Sequence, residues 1–590
     1  MQQRLPEIIE STFRLRENEG QSKVIPLAEA IRRQVKPGMT LHMAPEAGAS
    51  ICEIIRQFWG SRPNFTLSQS MVGGTHAVSL MHAGLVKKLV FTNCADTYPA
   101  PSPNPVIQRA FRQKTMELEN WSVLCFELRL IAGALGIGFI PTKSMIGSDV
   151  ALENREDYQV IDDPFGSGRK LGLLRATNPD LALIHAWAAD PYGNTITPCT
   201  GVSSSVWGAK ASRNGVLVSV ERLVSTDFIR QHSHLVRIPG YLVNSVSVVP
   251  FAAHPHPMPS IGLAEFDGYV LDTQYIMELR KASEDPAAMD AWIKEWVLEV
   301  ESHDDYLRKL GPERLLFLKG KLYERSWEYE LAPQVEGILS HEGYNRVEMM
   351  LATASRKIQE IVRQRGYKIL FPGIGLSGLP GWLAYYLLQK DGYHVDLVPM
   401  GIGFSPRPAD PFMMSMANVQ TAKALPDIID IHGTCVTGET SSCLGIIGAG
   451  QIDKRGNVNS SKIGEETFLA GIAGGNDIAS AAREVVVVTI QSRERFLERV
   501  PYISQPGERI KTLISTRGIF EKLGDDPEFT LTMYFPDPKL STAEEHIEQI
   551  KANCGWELKV AKDVGAATAP SSEELLLLRA LDPKGAFIGK

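Results

Sequence analysis

No stretch of this 590-residue chain reaches the roughly 20 consecutive apolar residues that a bilayer core requires. The longest candidate, LRLIAGALGIGFIP, is about 14 residues and contains an arginine. The opening stretch, MQQRLPEIIESTFRLRENEG, is charged throughout and does not read as a signal peptide. These absences argue against a membrane partner. The seven cysteines, Cys52, Cys94, Cys125, Cys199, Cys435, Cys443 and Cys554, form no CxxC pair and are odd in number. Scattered thiols of this kind fit a reducing, cytoplasmic compartment. A basic surplus is missing too: 61 Lys and Arg stand against 68 Asp and Glu, for a net charge of −7, with no basic stripe. Nucleic acid is therefore not an expected partner.

What is present is a globular composition, 44% hydrophobic and 22% charged. A chain of this length exceeds one ordinary core, so more than one domain is expected. Strand-like and helix-like segments alternate. GMTLHMA, NFTLSQSMV, VFTNC, DLALIHAW and GVLVSVERLV read as strands; SICEIIRQFWG and VSLMHAGLVKKL read as helices. That alternation predicts largely parallel sheets with helices on both faces.

The pattern then repeats. LALIHAWAADPYGNTIT and LGIIGAGQIDKRGNVNS each end an apolar run in Asp, two residues, then Gly-Asn. Asp190 and Asp453, Gly193 and Gly456, and Asn194 and Asn457 are each 263 positions apart. The strands that follow, in SRNGVLVSVERL and AAREVVVVTIQSRERF, keep the same order. The expected fold class is α/β: two related open α/β domains with mainly parallel sheets, fused in tandem. The expected boundaries are a first domain over 1–310, a helical connector over 311–344 and a second domain over 345–590.

Two glycine-rich turns could carry chemistry. FPGIGLSGLPG places Gly373, Gly375 and Gly378 between a strand and a helix, the spacing of a dinucleotide fingerprint. This leaves an NAD(P)-dependent oxidoreductase as a minor alternative. The same loop could instead aim backbone N–H groups at a carbonyl oxygen that becomes an oxyanion. LAGIAGGNDIAS holds Gly474, Gly475 and Asn476 at a helix start, with Asp477 read as a cap. The His254-Pro255-His256 triplet lacks neighbouring acids and cysteines, so no metal is expected; it reads as a loop at a pocket rim.

GAGQIDKRGNVNSSKIG followed by AGGNDIAS, with SQPGERIKTLISTRGIFEK and LRALDPKGAFIG, resembles the β subunit of family I CoA-transferases of the glutaconate CoA-transferase type. IAGALGIGFIPTKSMIGSD and ADPYGNTI resemble the α subunit. The likeness covers most of residues 20–300 and 345–590. It implies an α-like and a β-like subunit fused in one chain, with an active site between them. It implies acyl-CoA as substrate, coenzyme A entering as part of that substrate, and no tightly bound cofactor. Gly373, Gly375, Gly378, Gly448, Gly450, Gly474, Gly475 and Asn476 would then form the oxyanion and CoA-binding loops. A homo-oligomer would be a packing of such lobe pairs.

The family reaction uses a β-half glutamate that attacks the thioester. Here Pro399 stands at that place, followed by Met400 and Gly401, and no glutamate lies between Gly373 and Gly438. Asp396, three residues back on a strand, falls on the opposite face. Glu46, after a strand, and Glu119, before a helix, are candidate replacement acids; each could equally be a solvated acid or a cap. Hydrolysis, C–C cleavage or decarboxylation of an acyl-CoA is expected ahead of true CoA transfer. A non-catalytic CoA-binding regulator is a further alternative.

Overall fold

The computed structural model describes residues 4–13, 18–197, 204–260, 262–323, 325–407 and 416–589. Cys199 lies outside them; the six described cysteines are free thiols, all but Cys435 buried.

The parallel part of the first sheet, which two short antiparallel strands extend at Thr195–Ile196 and Val236–Ile238, is built from β1 (Thr40–Met43), β2 (Phe65–Ser68), β3 (Val86–Phe91), β4 (Glu117–Asn120), β5 (Leu181–Ala189), β6 (Val216–Leu223) and β7 (Val243–Val248). Their order is β7-β6-β5-β1-β2-β3-β4, and every pair is parallel. The central β5 is buried at all nine positions, as a strand with helices on both faces must be. Helix Gly48–Phe58 crosses over from β1 to β2 and buries Ile51, Ile54 and Ile55 against Leu41, Phe65 and Leu67.

The second sheet contains β8 (Ile369–Pro372), β9 (Asp396–Leu397), β10 (Cys443–Ile447), β11 (Glu484–Thr489) and β12 (Ile510–Ser515), followed by β13 (Gly518–Glu521), β14 (Thr530–Tyr534) and β15 (Lys559–Ala566). The order is β9-β8-β10-β11-β12-β13-β14-β15. It is parallel through β12, after which β13 runs antiparallel. Helices Arg346–Arg365 and Gly378–Lys390 cover one face, with Met350, Ile358, Leu383 and Leu388 packed on Leu370, Leu397 and Leu444. A separate core covers the other face.

The arrangement β9-β8-β10-β11-β12 repeats β2-β1-β5-β6-β7, strand for strand. The duplicated turns coincide in detail. Asp190 Oδ1 accepts from the amides of Tyr192 and Asn194, and its Oδ2 accepts from Asn194 Nδ2. Asp453 receives the same three bonds from Arg455 and Asn457. Asn194 Oδ1 then accepts from Gly240 N at 3.0 Å, and Asn457 Oδ1 accepts from Gly507 N at 2.9 Å.

Two local readings change. The segment read as a helix over VSLMHAGLVKKL is a helix only over Ala77–His82. Gly84 turns the chain at φ +71°, and β3 starts at Val86. Lys88 is then a strand residue, paired with Glu117 and Glu119 on the adjacent β4. The His254 segment is packed interior, not a pocket rim: His254 is 2% exposed and held between Asp272 and Tyr306. The backbone carbonyls of Ala252 and His254 press on Gly48, where a Cβ would lie 2.6 Å from the His254 oxygen. Among the described residues no group of three or more His, Cys, Asp or Glu could hold a metal ion, and no helix is long and apolar enough to cross a membrane.

Candidate functional site

The edge strand β9 ends at Leu397, and a short 3₁₀ turn, Pro399–Gly401, follows. Pro399 and Gly401 are buried. Met400 takes the left-handed conformation, φ 56° and ψ 9°, which disfavours any residue with a Cβ. The turn carries no carboxylate. Asp396 accepts a hydrogen bond from Ser405 Oγ at 2.7 Å and faces Lys423 Nζ at 3.5 Å.

The glycine loop after β8 lies beside this turn in the sheet. The Gly373 amide donates to Ile446 O at 2.7 Å, so its N–H closes the β8–β10 ladder. Gly375 has φ +85°, and a Cβ there would meet Pro101 of the first lobe at 3.3 Å. Gly378 opens the helix Gly378–Lys390. Ser377 Oγ stands 3.4 Å from the position a Cβ would take on both Gly373 and Gly448. Gly448 follows β10 and is exposed, while Gly450 fits against the carbonyl of Asn459, 2.7 Å from its would-be Cβ.

Gly474, Gly475 and Asn476 belong to the seam between the lobes. Asn476 Oδ1 accepts from Met145 N at 2.9 Å and its Nδ2 donates to Ser504 O at 2.7 Å. Asp477 does cap a helix, but one of the other lobe: it accepts from Leu124 N at 3.0 Å, in the first turn of Val123–Ala134. It also lies 3.4 Å from His432 Nδ1. Burial raises the Asp477 carboxyl above its ordinary value, opposed by His432 and by the hydroxyls of Ser122 and Ser144. Burial likewise lowers the His432 imidazole, with Asp477 pulling it back up.

The candidate acids occupy different surroundings. Glu46 is 2% exposed, in the loop after β1. Glu119 lies within β4, just ahead of Ser122, the N-cap of the helix Val123–Ala134. It pairs with Lys88 at 2.6 Å and Arg129 at 2.8 Å and accepts from Trp121 Nε1 at 2.6 Å. Burial works against its charge, but those cations prevail and hold it below the usual carboxylate range. This is the environment of a structural ion pair.

Two larger cavities lie outside the turn itself, neither lined by Pro399, Met400 or Gly401. One, of about 410 Å³, is lined by Tyr385, Tyr386, Ser405, Arg407 and Lys423 among others. Its Pro406 wall is shared with the narrow cleft beside Pro399 and Met400. The other, of about 800 Å³, is lined by Leu263, Phe266, Leu316, Lys319 and Tyr323, and the two share Gln420. Lys423, Arg407 and His432 carry no local sequence signature; only the folded second lobe brings His432 to the turn and Lys423 and Arg407 to the smaller cavity.

The sequence profile of the Coenzyme A transferase family matches residues 24–248. The chain is 30% identical over 321 residues to one of the two subunits of glutaconate CoA-transferase from Acidaminococcus fermentans, a match covering 50% of this chain and 95% of that polypeptide. It is 27% identical over 266 residues to one of the two subunits of 3-oxoadipate CoA-transferase from Pseudomonas knackmussii, covering 41% of this chain and 95% of that polypeptide. The crystal structure of the acyl-CoA transferase YdiF of Escherichia coli O157:H7, a thioester complex with CoA, shares the fold over 94% of this chain and 96% of its own, at 16% identity and a TM-score of 0.62. With two lobes of one topology meeting at glycine-lined strand ends, and these relatives, the chain belongs to the coenzyme A transferase family.

Proposed function

We propose that this enzyme acts on an acyl-CoA seated at the strand ends of the second lobe, by hydrolysis, C–C cleavage or decarboxylation, without a glutamyl-CoA intermediate. The observation that carries the reading is the Pro399-Met400-Gly401 turn. It keeps a left-handed residue beside a glycine loop yet offers no nucleophile, and Asp396 is engaged by Ser405 and Lys423. The CoA thioester held by YdiF supports a thioester as the substrate class.

The cavity of about 410 Å³ suits the nucleotide end of CoA: Arg407 and Lys423 supply cations for phosphates, and Tyr385 and Tyr386 supply ring faces. Its Pro406 wall leads toward Met400. Ser377 Oγ, between Gly373 and Gly448, is a donor for the thioester oxygen. Gly373 contributes room there rather than a donor, since its amide is already bonded. The dinucleotide alternative is not favoured, because Gly375 of the loop packs against Pro101 of the first lobe, 3.3 Å from its would-be Cβ.

CoA transfer to a second carboxylic acid is the other reading, favoured by the names of the relatives. It would need the acceptor acid to attack the thioester directly. Incubation with glutaconyl-CoA or 3-oxoadipyl-CoA followed by borohydride tests the proposal. The expected result is no inactivation, with CoA released in water without an acceptor acid. A reduced glutamate mapped by mass spectrometry would overturn it. Pro399→Glu is expected to acquire the borohydride sensitivity that the natural chain lacks.

A further inference from the structure

His432 lies directly behind the turn that lacks the carboxylate. A Cβ on Gly401 would come 2.9 Å from its Nε2, and a Cβ on Gly474 would come 2.5 Å from its Cε1. The imidazole is thus wedged between two glycines, with Phe371 of β8 edge-on at 5.4 Å. Any side chain at position 401 would cover Nε2; glycine leaves it facing the turn. The other ring nitrogen faces Asp477, whose second task is to cap the first-lobe helix Val123–Ala134. His42 and His76 are also buried, but they sit in first-lobe surroundings with no carboxylate at ion-pair distance among the described residues, whereas Asp477 stands 3.4 Å from His432 Nδ1.

We infer that His432 is the general base of this enzyme, acting on a water held at the Pro399–Gly401 turn, with the Asp477 carboxylate beside Nδ1 as its electrostatic partner. The inference rests on the proposed absence of a glutamyl intermediate. His432 Nε2 takes a proton from water as the water oxygen bonds to the thioester carbon. The C–S bond then breaks, the sulfur leaves as thiolate, and the imidazolium returns its proton to that sulfur. The products are the free acid and CoA thiol, and the histidine ends neutral. A neutral ring is what this step requires, and burial favours it. The elements around the ring present Phe371, Gly401, Gly474 and Asp477, of which only Asp477 titrates; the charge of that carboxylate also reaches the buried Cys125 thiol.

Diethylpyrocarbonate labelling of the intact chain, read residue by residue by mass spectrometry, tests this. A cleft that seats a thioester carbonyl beside Nε2 also admits this carbonyl electrophile of similar girth. His432 is expected to be labelled faster than His42 and His76, and desulfo-CoA is expected to abolish that labelling. In Asp477→Asn the pH midpoint of labelling is expected to fall by about 1 unit, because a carboxylate that favours the protonated ring is lost. A His432 as inert as His42, or one labelled equally with and without desulfo-CoA, would overturn the assignment while leaving the proposed reaction class standing. A glutamate trapped by borohydride would remove both.

Discussion

Glu127 sits on the helix Val123–Ala134, 3% exposed, and its Oε2 has no hydrogen-bond partner among the described residues. Burial pushes its carboxyl from 4.5 up to about 7, opposed by a hydrogen bond to Ser204 and assisted by the charge of Asp427. An acid whose folded value is raised binds a proton on folding. Its penalty is absent below the unfolded value and grows as pH rises from 4.5 to about 7. A shift of that size corresponds to about 3 kcal/mol. Glu127→Gln should therefore unfold like the natural chain at pH 4.5 and be more stable above pH 7, by up to about 3 kcal/mol; urea titrations at the two pH values check it. Met400 shows the same economy of purpose at its own scale: a left-handed non-glycine residue, held by a turn whose backbone the neighbouring strands fix through the Val398–Leu370 bond.

The duplicated Asp-x-x-Gly-Asn turn is an element that the two lobes preserve after the surrounding side chains have diverged. In both, the Asp carboxylate closes the turn and the Asn reaches a glycine amide on a distant segment. A lysine from a different place in the chain caps that same glycine's carbonyl in each lobe: Lys23 on Gly240 and Lys522 on Gly507. Burial pushes the Lys522 ammonium down to about 8. The glycines themselves are not equally confined. A Cβ on Gly193, φ +92°, would lie 2.7 Å from Val243 Cβ, backbone-anchored and rigid. On Gly456, φ +84°, it would lie 3.2 Å from Lys522 Nζ, the far end of a long side chain. Gly456→Ala is expected to destabilise by about 1–2 kcal/mol from the left-handed backbone alone. Gly193→Ala is expected to destabilise by about 2–5 kcal/mol, since overpacking adds to it. Chemical denaturation of the pair measures the difference.

The whole molecule depends on one seam. The loop before helix Gly475–Ala481 threads into the strand ends of the first lobe: Ala470 O accepts from Cys94 N, and Ala473 N donates to Thr92 O. Asn120, at the end of β4, holds both sides, accepting from Ile472 N at 2.9 Å and donating to Thr92 O at 2.9 Å. Asp149 and Ile503 exchange backbone and side-chain bonds across the same boundary. Asn120→Ala removes the acceptor of the buried Ile472 N and one of the two donors to Thr92 O. It should lower stability by about 1–3 kcal/mol, and scanning calorimetry should show the lobes melting as separate transitions in place of one.

Part of this architecture is legible from residue order. Apolar runs such as Leu181–Ala189, bounded by Asp and Gly-Asn turns, dictate buried parallel strands because alternation and turn chemistry are local properties. The repeat of that signal at a constant offset gives two like lobes, and the absence of any glutamate between Gly373 and Gly438 is a fact of the sequence itself. The start of β3 was not legible, because Val86–Phe91 continues a helical period and only pairing of Lys88 with Glu117 and Glu119 makes it a strand. Nor was the seam: Asp477 reads as a cap from sequence, but which helix it caps depends on how the lobes dock. His432 meets Gly401 across 31 positions and Asp477 across 45. Sequence determined the lobes and what the turn lacks; only tertiary contact decided which buried groups stand behind that turn, because burial and proximity are set by packing between segments and not by neighbours along the chain.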